Sequence, residues 1–399
     1  MRILLFALMT LLNLFSIYLG VIALFTFKRR KPYPKTTPNT RFAVIIPARN
    51  EAKVVGNLIE KLRAQDYPSE KVDIYVVTNN CTDGTEAVAL AAGAKILPCT
   101  GRVTCKGEVL HQAVEKLLPM EYDAFAFFDA DNLPDPAFLQ SMNDALAAGE
   151  RVCKGRLKAG NALDSWVAGG YGLYHAMMEW TYSRPHSAAG FSSNLVGTAF
   201  VVHREVFEAM GGWNTVTLCE DTEFAAQCTR IGYRVAWVHE ALSYDEQVTS
   251  FWVSLRQRHR WCSGMVQAAR LMMRDMFSAR CPKKGMARDF GMLFLISHTA
   301  PLAAVVMLIS LPFQTPVMLA MGGASLILSY IGMVIAAIVL CILGGYPVGR
   351  MGATVAMFPI FMVSWMPLQV VSLFVPVKHW HAIDHNGQSA AGEIASFRT

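Results

Sequence analysis

The stretch Ala-Phe-Ala-Phe-Phe-Asp-Ala-Asp, residues 124–131, joins an uninterrupted apolar run directly to two aspartates. A short continuous apolar run of this kind is typical of a strand that is buried on both faces of a sheet. We therefore predict a strand over residues 124–128 that presents Asp129 and Asp131 at its carboxyl end. Because ligands of open α/β sheets bind at the carboxyl ends of strands, these two carboxylates are candidate ligand-binding groups.

Strands and helices alternate between this stretch and the amino terminus. Residues 42–46 form a second apolar run that ends at Pro47, and residues 51–64 carry apolar side chains at helical spacing. A further strand is predicted over residues 73–78 and a further helix over residues 85–92. This alternation indicates an α/β domain with a largely parallel sheet.

The two aspartates also suggest a chemistry. Carboxylates one residue apart at a strand end can bind a hard divalent cation such as Mg²⁺ or Mn²⁺, which neutralises the charge of a departing phosphate. The alternative is an ordinary polar turn, since Asp131, Asn132 and Pro134 are common turn formers. The position after a buried strand favours the metal-binding interpretation.

A second acidic pair, Glu220 and Asp221, precedes a predicted helix over residues 222–231. The simpler interpretation of Asp221 is an N-cap, because aspartate is a preferred residue there. In the functional interpretation Asp221 is a general base that takes a proton from an acceptor hydroxyl, and Glu220 helps to orient the site. The sequence is compatible with both interpretations.

The third candidate cluster is Gln257, Arg260 and Trp261, which have the spacing Q-x-x-R-W. Aromatic and basic residues around it predict an amphipathic helix at a membrane surface, where these side chains would be interfacial anchors. That interpretation does not explain the particular spacing of the three residues. A guanidinium can bind a diphosphate leaving group bidentately, and an indole face can stack on a sugar ring.

The composition indicates a membrane protein. Hydrophobic residues make up 53% of the 399 residues and charged residues only 17%, which differs from ordinary soluble domains. Residues 3–27 are long and apolar enough to span a bilayer, and the basic residues 28–31 that follow place the next domain in the cytoplasm. The net charge of +6 resides in clusters that flank apolar segments, which argues against nucleic-acid binding. The nine cysteines lack the spacing of a zinc site, and we expect reduced thiols.

Three further apolar runs, residues 290–313, 316–346 and 353–377, are each long enough to span. With a cytoplasmic catalytic domain, three spans would leave the carboxyl-terminal tail outside. Pro359 and Pro367 could break the last run into a re-entrant or interfacial segment and so return the tail to the cytoplasm. The predicted division is a transmembrane helix (1–28), a linker (29–40), a catalytic domain (41–249), amphipathic interface helices (250–288), a transmembrane region (289–377) and a tail (378–399).

The ordered set of clusters resembles the family 2 glycosyltransferases, and among them the membrane-integrated cellulose, poly-N-acetylglucosamine and hyaluronan synthases. The resemblance spans about residues 41–270 and implies a GT-A fold, a UDP-sugar donor, a Mn²⁺ or Mg²⁺ cofactor and inversion at the anomeric carbon. It assigns the donor site to Pro47, Arg49, Asn50, Glu51, Asn80, Asp83, Lys106, Asp129, Asp131, Gln257 and Arg260. Asp129 and Asp131 would hold the metal, Asp221 with Glu220 would be catalytic, and Gly197, Thr198 and Trp261 would contact the acceptor.

Two positions depart from the pattern of the family. Asn79 stands where many relatives carry aspartate, which makes Asp83 the safer nucleotide contact, and Cys219 replaces the usual threonine or serine before Glu220. Trp380, Ile383 and His385 resemble the W-x-x-I-x-H tail of related synthases and would form a cytoplasmic gate.

The resemblance favours a multi-pass enzyme of the cell membrane that extends a glycan processively and exports it. The first alternative is transfer of one sugar to a membrane lipid, and the second is an inactive binding or export subunit. His298 and Trp365 are candidates to line a sugar path, because polar groups inside membranes are costly and often functional. The sequence is compatible with a homo-oligomer and with a separate export subunit, and it does not distinguish between them.

Overall fold

The computed structural model describes residues 2–28, 31–101, 103–278, 280–310, 312 and 315–377. Its strands are β1 (Phe42–Ala48), β2 (Val72–Thr78), β3 (Lys95–Pro98), β4 (Ala124–Phe127), β5 (Leu133–Pro134), β6 (Val152–Ala159), β7 (Phe200–His203) and β8 (Val235–Asp245). Its α-helices are α1 (Arg2–Leu24), α2 (Val55–Arg63), α3 (Thr85–Ala91), α4 (Lys106–Leu117), α5 (Phe138–Ala147), α6 (Trp166–Met178), α7 (Arg184–Ala189), α8 (Arg204–Met210), α9 (Glu220–Arg230), α10 (Phe251–Met276), α11 (Lys284–Ser310), α12 (Pro316–Gly344), α13 (Gly352–Val363) and α14 (Trp365–Phe374).

The strands form one sheet in the order β3-β2-β1-β4-β7-β6-β8-β5. Strands β3, β2, β1 and β4 are parallel, and β7 runs antiparallel to both β4 and β6. This confirms the predicted α/β class, although the sheet is mixed in its second half. The parallel order brings the carboxyl ends of β1, β2 and β4 to one edge, so the loops that follow Ala48, Thr78 and Phe127 are neighbours.

Apolar layers cover both faces of the sheet. One layer packs Phe127, Phe200 and Trp213 against α4, α9 and α10, and the other packs Ile46, Phe128 and Phe138 against α2 and α5. The predicted strand over residues 124–128 is therefore buried on both faces, as its continuous apolar sequence indicated. Burial on both faces fixes the strand rigidly, and so fixes the position of Asp129 that follows it.

Long apolar helices surround this domain. Within the described residues, Phe6–Phe27, Met321–Gly344 and Gly352–Phe374 are long and apolar enough to cross a membrane, and the bent pair Lys284–Ile296 and Pro301–Ser310 would make a fourth. Tyr18 of α1 donates a hydrogen bond to Asp289 of α11, which joins the first apolar helix to the bent pair. His298 bonds locally, since its Nδ1 lies 2.8 Å from the carbonyl oxygen of Phe294. The chain therefore has the apolar helices of a membrane-associated protein.

The helix pair α13–α14 contacts the α/β domain at both ends. A Cβ built on Gly169 of α6 would lie 2.3 Å from Thr354 Oγ1 in α13, so these helices touch. At the other end, the backbone N–H of Val377 donates to Ser263 Oγ of α10 at 3.0 Å. The pair therefore starts and ends against the same domain.

The break in this pair falls at Ser364, where α13 ends and α14 begins with Trp365. This position agrees with the expectation for Pro367, because proline has no N–H to bond the carbonyl of Val363 and its ring clashes with that carbonyl. Pro367 lies in the first turn of α14, where proline is tolerated because its missing N–H has no helical partner to lose. Pro359 lies inside α13 and does not interrupt it. The tail residues Trp380, Ile383 and His385 lie outside the described part of the chain.

Candidate active site

Lys106 stands at the centre of the site. It is the first residue of α4, and its ammonium lies 2.5 Å from Asp129 Oδ1, 2.6 Å from the carbonyl oxygen of Gly197 and 3.7 Å from Glu220 Oε1. Burial lowers its pKa, but the carboxylates of Asp129 and Glu220 outweigh that effect and raise the pKa. Lys106 is therefore a fixed ammonium that joins two of the predicted carboxylate clusters.

Glycine next to this lysine allows α4 to approach the second acidic cluster. A Cβ at Gly107 would lie 2.6 Å from Thr215 Oγ1 and 3.4 Å from Glu220 Cβ. A larger residue would push the helix away and carry Lys106 with it. The short distance from Lys106 to Glu220 thus depends on the glycine at position 107.

Asp221 is held by two backbone N–H groups. Its Oδ2 accepts a hydrogen bond from Gly197 at 2.6 Å and its Oδ1 accepts one from Thr222 at 2.7 Å. The N-cap interpretation is wrong, since helix α9 begins at Glu220 with Cys219 as its N-cap residue. Burial raises the pKa of Asp221, and the hydrogen bonds from Thr222 and Gly197 partly oppose the rise.

Glu220 adds a second buried carboxyl beside Asp221. Burial raises the pKa of Glu220 to about 7, with Lys106 opposing the rise and Asp221 adding to it. The charge of Arg260 lowers the pKa of both carboxyls, which places its guanidinium within electrostatic reach of them. The site therefore has a buried acidic pair beside the fixed ammonium of Lys106, with the charge of Arg260 acting on both carboxyls.

Thr198 connects the aspartates after β4 to the segment that holds Asp221. Its hydroxyl oxygen accepts from the backbone N–H of Asp129 at 2.8 Å and donates to Asn132 Oδ1 at 2.6 Å. The predicted residues Asp129, Gly197, Thr198 and Asp221 are thus brought together by direct hydrogen bonds through Lys106 and the 197–198 segment.

Asp245 at the end of β8 is a residue that the sequence interpretation missed. Burial raises its pKa to about 8, and the neighbouring carboxylate of Asp131 contributes to the rise. Its Oδ1 is buried without a hydrogen-bond partner among the described residues. An aspartate that ends a strand was the available signal, the same one that identified Asp129. No group of three or more metal-ligating His, Cys, Asp or Glu side chains occurs in the described ranges.

The loops after β1 and β2 form a second wall at the same edge. Asn50 and Asn80 both adopt left-handed backbone conformations, with φ values of 62° and 50°. The Oδ1 of Asn50 accepts from the backbone N–H of Thr82 at 2.8 Å and so ties the two loops together. Arg49 and Glu51 belong to the first of these loops, and Pro47 lies near the carboxyl end of β1 that leads into it. Asparagine tolerates this conformation better than most residues, which explains its presence in both turns.

The carboxylate of Asp83 is engaged within the protein. Its Oδ1 accepts from the N–H of Thr85 at 3.0 Å and its Oδ2 accepts from the N–H of Ala52 at 3.1 Å. Burial raises the pKa of Asp83, but these hydrogen bonds outweigh it and lower the pKa. Asn79 is buried and accepts from Asn80 Nδ2 at 3.0 Å. Asp83 thus joins the two loops as an ionised carboxylate.

Helix α10 brings the Q-x-x-R-W cluster to the site. Gln257 Oε1 accepts a hydrogen bond from the hydroxyl of Tyr171 at 3.0 Å. The ring of Trp261 packs edge-on against Tyr171 at 5.9 Å and stacks on Trp365 of α14 at 6.1 Å. One face of the predicted acceptor platform is therefore covered by Trp365.

Cys219 has a packing role at this crossing. Its thiol donates to the carbonyl oxygen of Trp261 at 3.4 Å, and a Cβ at Gly264 would lie 2.5 Å from its sulfur. Burial raises the pKa of this thiol well above its ordinary value. A neutral thiol fits where α10 passes directly behind the acidic pair.

The sequence matches a protein-family model and several known proteins. A family model described as glycosyltransferase-like family 2 matches residues 38–264. A β-monoglucosyldiacylglycerol synthase of Synechocystis is 26% identical over 254 residues, which are 58% of this chain and 49% of that protein. Cellulose synthase 2 of Novacetimonas hansenii is 23% identical over 251 residues, which are 61% of this chain and 16% of that protein. The chain thus spans about half or less of the length of these curated relatives.

The fold is shared with a mannosyltransferase of Pyrobaculum calidifontis that was solved in complex with GDP-mannose and Mn²⁺. The two structures superpose with a TM-score of 0.66 at 19% identity, over 93% of this chain and 98% of the other. The predicted GT-A fold is confirmed by this match.

Proposed function

The chain belongs to glycosyltransferase-like family 2, whose model matches more than half of its 399 residues, and we propose that it transfers a sugar from a nucleotide diphosphate sugar to a hydroxyl acceptor at a membrane. The observation that carries this proposal is the Lys106 ammonium between Asp129 and Glu220, beside Asp221. A site with fixed cations and a buried base next to them suits displacement of an anionic leaving group. UDP is the proposed nucleotide, held by the loops after β1 and β2.

The donor end of the site lies at Asp129, Asp131 and Asp245. The Oδ1 of Asp245 is buried without a hydrogen-bond partner among the described residues, and the carboxylate of Asp131 repels the charge of Asp245. A divalent cation bound here would offset both effects. Two or three carboxylate oxygens, completed by oxygens of the donor, fit Mg²⁺ or Mn²⁺. Such an ion, when bound, supplies positive charge to the diphosphate. Lys106 and Arg260 supply the fixed positive charge of the protein to the same leaving group.

Asp221 acts as the base. Its carboxylate takes the proton of the acceptor hydroxyl while that oxygen forms a bond to the anomeric carbon of the sugar. The acceptor oxygen enters on the face opposite the bond between this carbon and the phosphate oxygen of the donor. That bond breaks, its electron pair leaves with the diphosphate, and this single displacement inverts the configuration. The N–H groups of Gly197 and Thr222 hold the carboxylate in place before the reaction, which avoids a cost of reorientation.

The acceptor is proposed to be a membrane lipid that receives one sugar, with processive glycan synthesis as the second candidate. Processive synthesis is favoured by the Q-x-x-R-W resemblance and by the cellulose synthase relative. The lipid is favoured by close packing beside Trp261. A Cβ at Gly169 or Gly170 of α6 would lie 2.3 Å from Thr354 or 2.9 Å from Phe361 of α13. Helices α6 and α13 are in contact at these two glycines, so a glycan has no passage between them at that point.

One experiment tests both parts of the proposal. The full-length chain is reconstituted in vesicles that contain diacylglycerol, with MnCl₂ and radiolabelled UDP-glucose, UDP-galactose, UDP-N-acetylglucosamine or GDP-mannose, and the products are sized. We expect a labelled product that extracts into organic solvent and carries one sugar. A water-soluble polymer would establish the processive candidate instead, and no transfer from any donor would contradict the proposed function.

The membrane arrangement follows from the two ends of α13–α14. We propose that α1, α11 and α12 span and that α13–α14 lies in one leaflet, because both of its ends contact the α/β domain. Starting with the amino terminus outside, three spans then return the end of α14 to the cytoplasmic side that holds the catalytic domain. With only two spans after the catalytic domain, the carboxyl-terminal tail is no longer left on the outer side of the membrane.

A further inference from the structure

Lys154 is a buried charged residue without a part in the reaction described above. It lies on β6, is 3% exposed, and its ammonium donates a hydrogen bond to the carbonyl oxygen of Thr198 at 2.6 Å. Burial lowers its pKa to about 8, against the opposing effect of Asp245 and Asp221. Burying a lysine ammonium away from water is unfavourable, so its interaction with Thr198 calls for a physical reason.

The reason lies in the turn that Lys154 holds, residues 196–199. Gly197 and Ala199 have φ values of 58° and 52°, and Ala199 carries a side chain in this left-handed region. Such a conformation is strained for a non-glycine residue and persists only where neighbouring groups fix it. Two consecutive residues of β6 do so here. Lys154 holds the carbonyl of Thr198, and the N–H of Gly155 donates to the carbonyl of Ala199 at 2.9 Å.

On its other side, the turn contacts Asp221 and Lys106. The N–H of Gly197 donates to Asp221, and its carbonyl oxygen accepts from Lys106 at 2.6 Å. Two lysines from opposite directions therefore hold the successive carbonyls of Gly197 and Thr198. A shift of the turn would move the donor that orients Asp221 and the acceptor that orients Lys106.

We propose that Lys154 is a positioning residue for the transfer reaction, which fixes the strained 196–199 turn and through it the carboxylate of Asp221. This proposal rests on the proposed role of Asp221 as the base. The residue would contact neither the sugar nor the nucleotide. Its effect is on the rate of the chemical step. The affinity for the donor should not change, because Lys106 keeps its ion pair with Asp129 if the turn shifts.

The test compares Lys154→Met with Lys158→Met. Lys158 lies on the same strand, and its ammonium lies 5.9 Å from the ring of Tyr346, away from the turn. UDP binding is measured by calorimetry in the presence of MnCl₂, and turnover is normalised to the number of UDP-binding sites. For Lys154→Met we expect turnover to fall about 100-fold, as for a small misplacement of a reacting group, with UDP affinity unchanged. Lys158→Met should keep its turnover.

A second variant distinguishes the loss of the hydrogen bond that positions the turn from the loss of the positive charge of Lys154. In Lys154→Met/Ala199→Gly the glycine adopts the left-handed conformation without strain, so the turn depends less on the lost hydrogen bond. We expect turnover to recover at least about tenfold over Lys154→Met, a size within the range of one hydrogen bond to a charged group. No recovery would assign the loss to the missing charge and would overturn the proposal. So would full turnover of Lys154→Met, or loss of UDP binding in that variant.

The outcome for Asp221→Asn tells the two proposals apart. If Asp221→Asn abolishes turnover and Lys154→Met does not reduce it, only the positioning role fails. If Asp221→Asn itself retains full turnover, the proposed mechanism fails before Lys154 is considered.

Discussion

Lys106 and Asp129 form an ion pair with an Nζ to Oδ1 distance of 2.5 Å, and the same ammonium reaches Glu220 on a different helix. A single cation thus links the end of β4 to the start of α9, the two elements that carry the predicted donor and base residues. Its position also suits the negative charge that appears on a departing diphosphate.

Lys106→Met is expected to weaken UDP binding by roughly 10- to 100-fold, because one charge-assisted interaction contributes about 1.5–3 kcal/mol. Calorimetry with UDP and MnCl₂ measures the change. Lys95→Met is the matched control, since Lys95 also pairs with an aspartate, Asp73, at 2.7 Å, but on the edge strand β3. Equal UDP affinity in the two variants would contradict the assignment of Lys106 to the donor site.

Asp221→Asn is expected to lower turnover by about 100- to 10,000-fold, the usual contribution of a general base, while UDP still binds. Asparagine keeps the size of the side chain but cannot take a proton. Transfer rates with radiolabelled donor and calorimetry with UDP measure the two properties. Turnover equal to that of the unaltered chain would show that another group accepts the proton.

Burial raises the pKa of Asp221, and it raises the pKa of Glu220 to about 7. The rate of transfer should therefore fall on the acid side at a pH above the ordinary range of carboxyl groups. Glu220→Gln should shift the acid limb of the kcat/KM profile to lower pH, since it removes a negative charge beside the base. Glu86→Gln, on the exposed side of α3, is the control and should leave the profile unchanged. A limb that stays in place in Glu220→Gln would contradict the coupling of the two carboxyls.

The same shift has a consequence for stability. Glu220 binds its proton more tightly in the folded chain than in the unfolded chain, where its pKa is about 4.3. Its contribution to the free energy of unfolding is therefore fully present below about pH 4.3 and is lost as the pH rises toward about 7. Thermal unfolding of Glu220→Gln should depend less on pH across this window than that of the unaltered chain.

Removal of divalent cations with EDTA should abolish transfer, and Mn²⁺ or Mg²⁺ should restore it. Asp245→Asn should raise the Mn²⁺ concentration needed for half of the maximal binding in the presence of UDP by about 10- to 100-fold, the usual size for a group that supports a metal site. Electron paramagnetic resonance of bound Mn²⁺ reports this independently of activity. Asp275→Asn is the control, because Asp275 pairs with Arg230 on the surface. Unchanged Mn²⁺ binding in Asp245→Asn would place the ion elsewhere.

The sequence predicted those parts of the site that lie at strand ends. The continuous apolar run before Asp129 has one stable location, the middle of a covered sheet, so the position of the aspartates followed from it. Lys154 and Asp245 escaped notice because a charged residue in a strand ordinarily points to solvent. Only the pairing of β6 with β7 and β8 buries them.

Helix α6 was also beyond prediction from sequence. Three glycines, Gly169, Gly170 and Gly172, lie within it, and glycine weakens a helix by about 1 kcal/mol at each position. The structure shows why they are present, since Thr354, Phe361 and Tyr346 each occupy the space that a Cβ would need. The helix exists because of packing with segments almost 200 residues further along the chain.

The orientation of α13–α14 leads to the last prediction. Thr315, Gly349 and Val375 are exposed positions that flank α12 and α13–α14, and each is changed singly to cysteine after Cys81, Cys99 and Cys105 are replaced by serine. Sealed inside-out vesicles are then treated with a membrane-impermeant maleimide. If α13–α14 lies in one leaflet, G349C and V375C should both react and T315C should not, because only α12 separates the two sides. Labelling of G349C without V375C would mean that α13–α14 crosses the bilayer. In that case the contact between Val377 and Ser263, which both lie beside the catalytic domain, could not exist in the membrane-bound protein.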